Sequence, residues 1–121
     1  MKKQIPENQV LLTIYGGGSK LTLNGKSVKE YPHKGGGFFS GYVTKLTLEP
    51  GDYEIIGTYD QTSGAGKVNN KFKNAVINVN LRGGHEYDLG IHTDPRELEI
   101  AVAYLPLDKA GWNLICRILE D

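Results

Sequence analysis

Residues 75–81, AVINVNL, constrain this chain more than any other stretch. Ala75, Ile77, Val79 and Leu81 fall on one side of an extended backbone, and Asn78 and Asn80 fall on the other. A period of two belongs to the β-strand, whose successive side chains point to opposite faces. An amphipathic helix repeats its apolar positions near 3.6 and does not produce this pattern. The stretch therefore commits the chain to a sheet with one buried and one wet face.

The alternation recurs. EYDLGIH sets Tyr87, Leu89 and Ile91 against Asp88 and His92. ELEIAVAY sets Leu98, Ile100, Val102 and Tyr104 against Glu97 and Glu99, and DYEIIGTY sets Tyr53 and Ile55 against Glu54. Earlier strands are expected at about 10–15, 20–24, 26–31 and 39–48. Turn chemistry fits between them: Asn24-Gly25 for a two-residue hairpin, Pro50-Gly51-Asp52 for a tight turn, and Gly83-Gly84. Short strands with frequent turns imply an all-β, single-domain, mostly antiparallel β-sandwich of seven to nine strands. The 121 residues form one domain, with 1–9 as a flexible lead. WNLICRIL is read as a strand carrying Trp112, Leu114, Cys116 and Ile118 on one face. A helical stripe of Trp112, Ile115, Cys116 and Leu119 behind an Asp108 cap is the alternative.

Two turns echo each other. LEPGDYEI and LRGGHEYDL each end a strand in Leu, turn at Gly, and bring a Tyr back to the core face. The repeat is expected of any antiparallel sheet that reuses the same turn; an ancestral duplication is the other reading.

Composition narrows function. Fourteen basic residues balance fourteen acidic ones, so there is no positive excess to attract a phosphate backbone and nucleic-acid binding is disfavoured. One cysteine, Cys116, cannot close an intramolecular disulfide. No run approaches the ~20 apolar residues of a membrane helix. MKKQIPENQ has a Lys pair with no apolar segment behind it.

The order of VLLTIY, LTLNGKSV, FFSGYVTKLTLEPGDYEI and NAVINVNLRGGHEYDLGI resembles the PEGA-like β-sandwich domains of uncharacterised bacterial envelope lipoproteins. Asn24-Gly25-Lys26, residues 48–53 and residues 84–87 carry the likeness, which spans roughly residues 10–91. The resemblance implies a non-catalytic extracytoplasmic module of the periplasm or cell envelope. Membrane attachment would come only through a lipidated cysteine in sequence ahead of this chain. A cytoplasmic location is expected if no signal segment precedes it.

No catalytic constellation emerges from the sequence. Ser63–Asn70, SGAGKVNN, lacks the Gly spacing and the Ser or Thr after Lys67 that a phosphate loop needs. His85 and His92 bracket one strand, roughly 20 Å apart at strand rise, too far to share a metal; His33 is remote in sequence. No metal or cofactor is expected. Glu97 and Glu99 read as a solvated strand face, and Cys116 as a packed small apolar residue. The segment best suited to a ligand is EYPHKGGGFFSGY. There Tyr31, His33, Lys34, Phe38, Phe39 and Tyr42 surround a triple glycine, an arrangement suited to a glycan or peptide platform. The competing structural reading has Phe38 or Phe39 plugging the sandwich end. Residues 60–71 are expected to form a second, polar loop. A non-catalytic protein- or glycan-binding module is thus the leading expectation. A structural domain that self-associates through a sheet edge, or a hydrolase or metal site assembled only by folding, are the alternatives.

Overall fold

The computed structural model describes residues 5–15, 21–34, 43–62, 68–92, 94–106, 111 and 113–119. Its strands are β1 (Val10–Tyr15), β2 (Thr22–Leu23), β3 (Lys26–Ser27), β4 (His33–Lys34), β5 (Val43–Leu48), β6 (Gly51–Thr62), β7 (Val68–Leu81), β8 (Glu86–His92), β9 (Ala101–Pro106) and β10 (Asn113–Leu119). Seven have six or more residues and three have two, which accounts for ten elements where seven to nine were expected. Two 3-10 turns, Val28–Glu30 and Pro95–Ile100, complete the described elements.

The strands form two sheets, in the orders β4-β5-β1-β8-β10-β9 and β3-β2-β6-β7. All pairings are antiparallel except β1 with β8, which run parallel. The sheets share one apolar core. Val10, Leu12, Ile14, Leu46, Leu89, Leu114 and Cys116 come from the six-stranded sheet, and Leu23, Ile55, Ile77, Val79 and Leu81 from the four-stranded one. This is the all-β sandwich expected of the alternation. Truncating a core member such as Leu12, which is fully inaccessible, costs ~2–5 kcal/mol by the usual cavity penalty.

Turn chemistry sets the register. Asn24 and Gly25 both have positive φ, 52° and 83°, as a two-residue hairpin between β2 and β3 requires. The Asn24 side chain then fastens the hairpin to β6. Its Oδ1 accepts from the Glu54 N–H at 2.8 Å, and its Nδ2 donates to the Asp52 carbonyl at 3.1 Å. The two echoed turns are each closed by their tyrosine. Tyr53 Oη donates to the Glu49 carbonyl at 2.6 Å, and Tyr87 Oη accepts from the Arg82 N–H at 3.0 Å. Both rings are buried. A phenol is long enough to reach back across its own turn while its ring stays in the core.

The described C-terminal residues 113–119 form strand β10, and Leu114 and Cys116 are buried on its inner face. Trp112 and Asp108 lie outside the described residues. Residues 5–9 are tied to the β7–β8 turn, where Gly84 N–H donates to the Gln9 carbonyl at 2.8 Å.

Several expectations are corrected. Residues 26–31 do not form one strand: after β3 the chain enters a 3-10 turn capped by Ser27, whose Oγ accepts from Lys29 N–H while Glu30 reaches back to Ser27 N–H. The expected loop 60–71 is largely ladder, because β6 runs to Thr62 and β7 starts at Val68; residues 63–67 lie outside the described residues. Residues 95–100 are 3-10 turn and not strand, with Pro95 at its start and Asp94 accepting from Arg96 N–H. The turn shifts the strand behind it by one position. Ala101, Ala103 and Leu105 face inward, while Ile100, Val102 and Tyr104 are exposed. A slip of one residue exchanges every side chain between faces. Asp88, expected in water, is buried.

Candidate functional site

The cleft nearest the sequence-derived candidates lies at the end of the sandwich where β5 turns into β6, and has a volume of about 480 Å³. The β2–β3 hairpin brings Lys26 to its rim, the capped 3-10 turn delivers Glu30 and Tyr31, and the β5–β6 turn delivers Glu49 and Tyr53. Asn8 and Gln9 line the side next to β1.

Tyr31 is the pivot of the cleft. It is half-buried against the core, and its hydroxyl donates to the Leu23 carbonyl at 2.8 Å. That bond fixes the ring while Lys26 Nζ stands 5.2 Å from its centroid, within cation–π range. Burial raises the Tyr31 phenol above its ordinary range, and the nearby Glu30 carboxylate adds to this. Tyr53 is raised likewise, first by burial and then by Tyr31 and Glu49. Both phenols therefore stay neutral at physiological pH. The cleft thus offers a fixed aromatic, one ammonium, two carboxylates and side-chain amides. Such a set can position a polar chain.

Of the six residues expected to form a platform, Tyr31 lies in this cleft. His33 and Lys34 form β4, whose backbone pairs with Leu46 and Lys45. Phe38, Phe39 and Tyr42 lie outside the described residues. Tyr31 sits beside the Thr47–Leu48 end of β5, because Thr47 N–H donates to the Pro32 carbonyl at 3.0 Å. Lys26, Glu49 and Tyr53 were missed as partners of Tyr31. The echoed turn placed Tyr53 in the core, yet no local pattern indicates which residues of facing sheets become neighbours.

A second, shallower groove of about 360 Å³ runs over the outer face of the four-stranded sheet, between Asn24, Asp52, Glu54, Asn78 and Asn80. Asn80 Nδ2 donates to Asp52 Oδ1 at 2.8 Å across β6 and β7. It is a wet sheet face with cross-strand polar pairs.

Asp88, Glu97, Cys116, Arg117 and His85 lie outside the residues that line the Tyr31 cleft. Arg117 holds Asp88 through two parallel contacts, Nε to Oδ1 at 2.8 Å and Nη2 to Oδ2, and meets Glu97 through Nη1. The Asp88 hydrogen bonds push the already basic guanidinium further up. Glu97 is thus half of an ion pair that anchors the 3-10 turn to β10, and not part of the solvated strand face expected of it with Glu99. Burial, then the Asp88 charge, pushes the Cys116 thiol up to about 12, so no thiolate forms at neutral pH. His85 packs edge-on against Tyr87, with centroids 6.4 Å apart. Among the described residues no three His, Cys, Asp or Glu side chains cluster as metal ligands would. No described helix is long and apolar enough to cross a membrane.

Compared with protein-family models, curated proteins and solved structures, the chain matches none.

Proposed function

We propose that this chain is a non-catalytic interaction module of the bacterial cell envelope, and that its ligand is a polar polymer chain held in the Tyr31 cleft. The location rests on the resemblance to PEGA-like domains. The binding role rests on one observation: a half-buried aromatic ring, locked through its own hydroxyl, lies beneath an ammonium at the mouth of an open cleft. A locked ring loses little entropy on binding, so its contact energy is retained. Lys26, Glu30 and Glu49 place both signs of charge around it. Mixed charge matches a peptide with its own charged side chains better than a neutral glycan.

The test is a binding screen against charged extended peptides and neutral oligosaccharides, read by chemical-shift changes on the full chain. The expected result is peptide binding that shifts Tyr31 and weakens about tenfold or more in Lys26→Ala and Glu49→Gln, two surface changes. Glycan binding with the same sensitivity would keep the cleft and change the ligand. Binding that neither variant alters, or shifts confined to other surfaces, would reject the cleft.

A further inference from the structure

Asn24 is the one asparagine of the chain that precedes a glycine. An asparagine can be attacked by the backbone nitrogen of the residue after it, which closes on the side-chain carbonyl carbon. Glycine leaves that nitrogen unscreened by a side chain. Asn24 and Gly25 form the tip of the β2–β3 hairpin and are exposed. Nothing lies within 4 Å of where a Gly25 Cβ would sit. Among the described residues no backbone hydrogen bond outside the strand ladders uses the Gly25 N–H. The nucleophile and the water that the reaction needs are therefore both at hand.

The fold nevertheless holds the reaction back. The positive φ values of Asn24 and Gly25, 52° and 83°, belong to a type I′ turn, whose first central residue has ψ near ~+30°. A five-membered imide needs the Gly25 nitrogen on the same side of the Asn24 Cα–C bond as Cβ, and this turn sets it on the opposite side. The carboxamide is held as well, its Oδ1 by Glu54 N–H at 2.8 Å and its Nδ2 by the Asp52 carbonyl at 3.1 Å. The Asn24 N–H donates to the Glu54 carbonyl at 3.0 Å. Ring closure thus requires the hairpin to leave β6, and each ~1.4 kcal/mol that this opening costs slows it tenfold.

We propose that Asn24 is a self-modification site gated by opening of the β2–β3 hairpin, and that its conversion unlatches the hairpin from β6. In the open hairpin the Gly25 nitrogen loses its proton to solvent and bonds to Asn24 Cγ. The Cγ–Nδ2 bond breaks, Nδ2 takes up a proton, and ammonia leaves. Water then opens the imide at either carbonyl, giving aspartate or isoaspartate; one water is consumed for each ammonia released. The new carboxylate has no hydrogen to donate to the Asp52 carbonyl. It also enters the groove that already holds Asp52 and Glu54, where like charge opposes closure. Isoaspartate further lengthens the backbone within the turn. The hairpin carries Lys26 to the ring of Tyr31, so conversion withdraws that ammonium from the cleft. Only the effect on a ligand rests on the proposed binding role; the modification and the release of Lys26 do not.

The full chain is aged in mildly alkaline buffer, folded and in guanidinium chloride, and mapped by a peptide digest that separates asparagine, aspartate and isoaspartate. Asn24 should be the first asparagine converted in both states, and its conversion about tenfold slower or more in the folded chain. In guanidinium chloride, Gly25→Ala should slow conversion about tenfold or more, because a Cβ then screens the nitrogen. In Asn24→Asp, hydrogen exchange at the residue-24 amide should be faster about tenfold or more. The Lys26 side-chain resonances, displaced by the Tyr31 ring in the wild type, should move to those of a free lysine. Earlier conversion of another asparagine, equal rates in the two states, or an unfolded-chain rate that Gly25→Ala leaves unchanged would each overturn the proposal. So would unchanged exchange or unchanged Lys26 resonances in Asn24→Asp.

Discussion

The outer faces of the two sheets differ. On β7, residues 74–81 alternate strictly: Asn74, Val76, Asn78 and Asn80 are exposed, while Ala75, Ile77, Val79 and Leu81 are buried. On β8, Tyr87, Leu89, Asp88 and Gly90 are all buried, although they point to opposite faces. Each strand has the period of two that its backbone imposes. The difference is in what covers the second face. The four-stranded sheet leaves that face in water, with polar pairs such as Asn80 and Asp52. The six-stranded sheet closes part of it, with Arg117 over Asp88, Glu97 joining them from the 3-10 turn, and Tyr15 over Gly90. Alternation therefore reports a strand reliably, but it reports water only where nothing else docks.

The largest expected effect lies in that closed face. Arg117→Leu leaves the Asp88 carboxylate, whose side chain is only 2% exposed, without its partner. Equilibrium unfolding should show a loss of about 3–5 kcal/mol, the usual cost of an uncompensated buried charge. Asn78→Ala on the open face should change stability by no more than about 0.5 kcal/mol. Equal effects at the two positions would erase the distinction between the faces.

The next effect joins the two sides of the six-stranded sheet, because the Cys116 thiol is raised by burial and then by Asp88 beneath it. A group whose pKa is higher in the fold than in the unfolded chain contributes stability fully below its unfolded value. That contribution is lost as pH rises through the folded value. Stability should therefore fall from about pH 9 towards 12, by an amount on the order of a few kcal/mol. Tyr31 and Tyr53, also raised, act in the same direction at alkaline pH. Cys116→Ala should flatten the slope measured by denaturation at successive pH values; an unchanged slope would assign it elsewhere.

A smaller effect compares the matched turns, each of which crosses from one sheet to the other. Tyr53→Phe removes the hydroxyl that donates to Glu49, and Tyr87→Phe removes the hydroxyl that accepts from Arg82. Each should cost about 1 kcal/mol in unfolding experiments. A cost at only one of them would mean that the shared sequence pattern does not carry a shared role.

Much of this architecture was legible in the sequence because it is local. The Asn24-Gly25 hairpin, the inward face of residues 75–81, and the return of Tyr53 and Tyr87 to the core follow from turn chemistry and backbone period. The misreadings share a physical cause. In ELEIAVAY the apolar residues alternate from Leu98 to Tyr104, but Pro95 and the Asp94 cap start a 3-10 turn that displaces the register by one. EYDLGIH gives no sign that Arg117, 29 residues further on, neutralises Asp88. The Tyr31 cleft was legible only as a single aromatic beside a turn. Its Lys26 follows from the hairpin, but Tyr53 and Glu49 reach it through the packing of two sheets.

The most direct test is the unfolding free energy of Ile115→Ala. Ile115 lies on the outer face of the six-stranded sheet and is fully inaccessible. If that face is closed as described, the truncation should cost about 2–5 kcal/mol, as for a core isoleucine. A loss below about 0.5 kcal/mol, the usual range for surface positions, would show that the face is open and contradict the account.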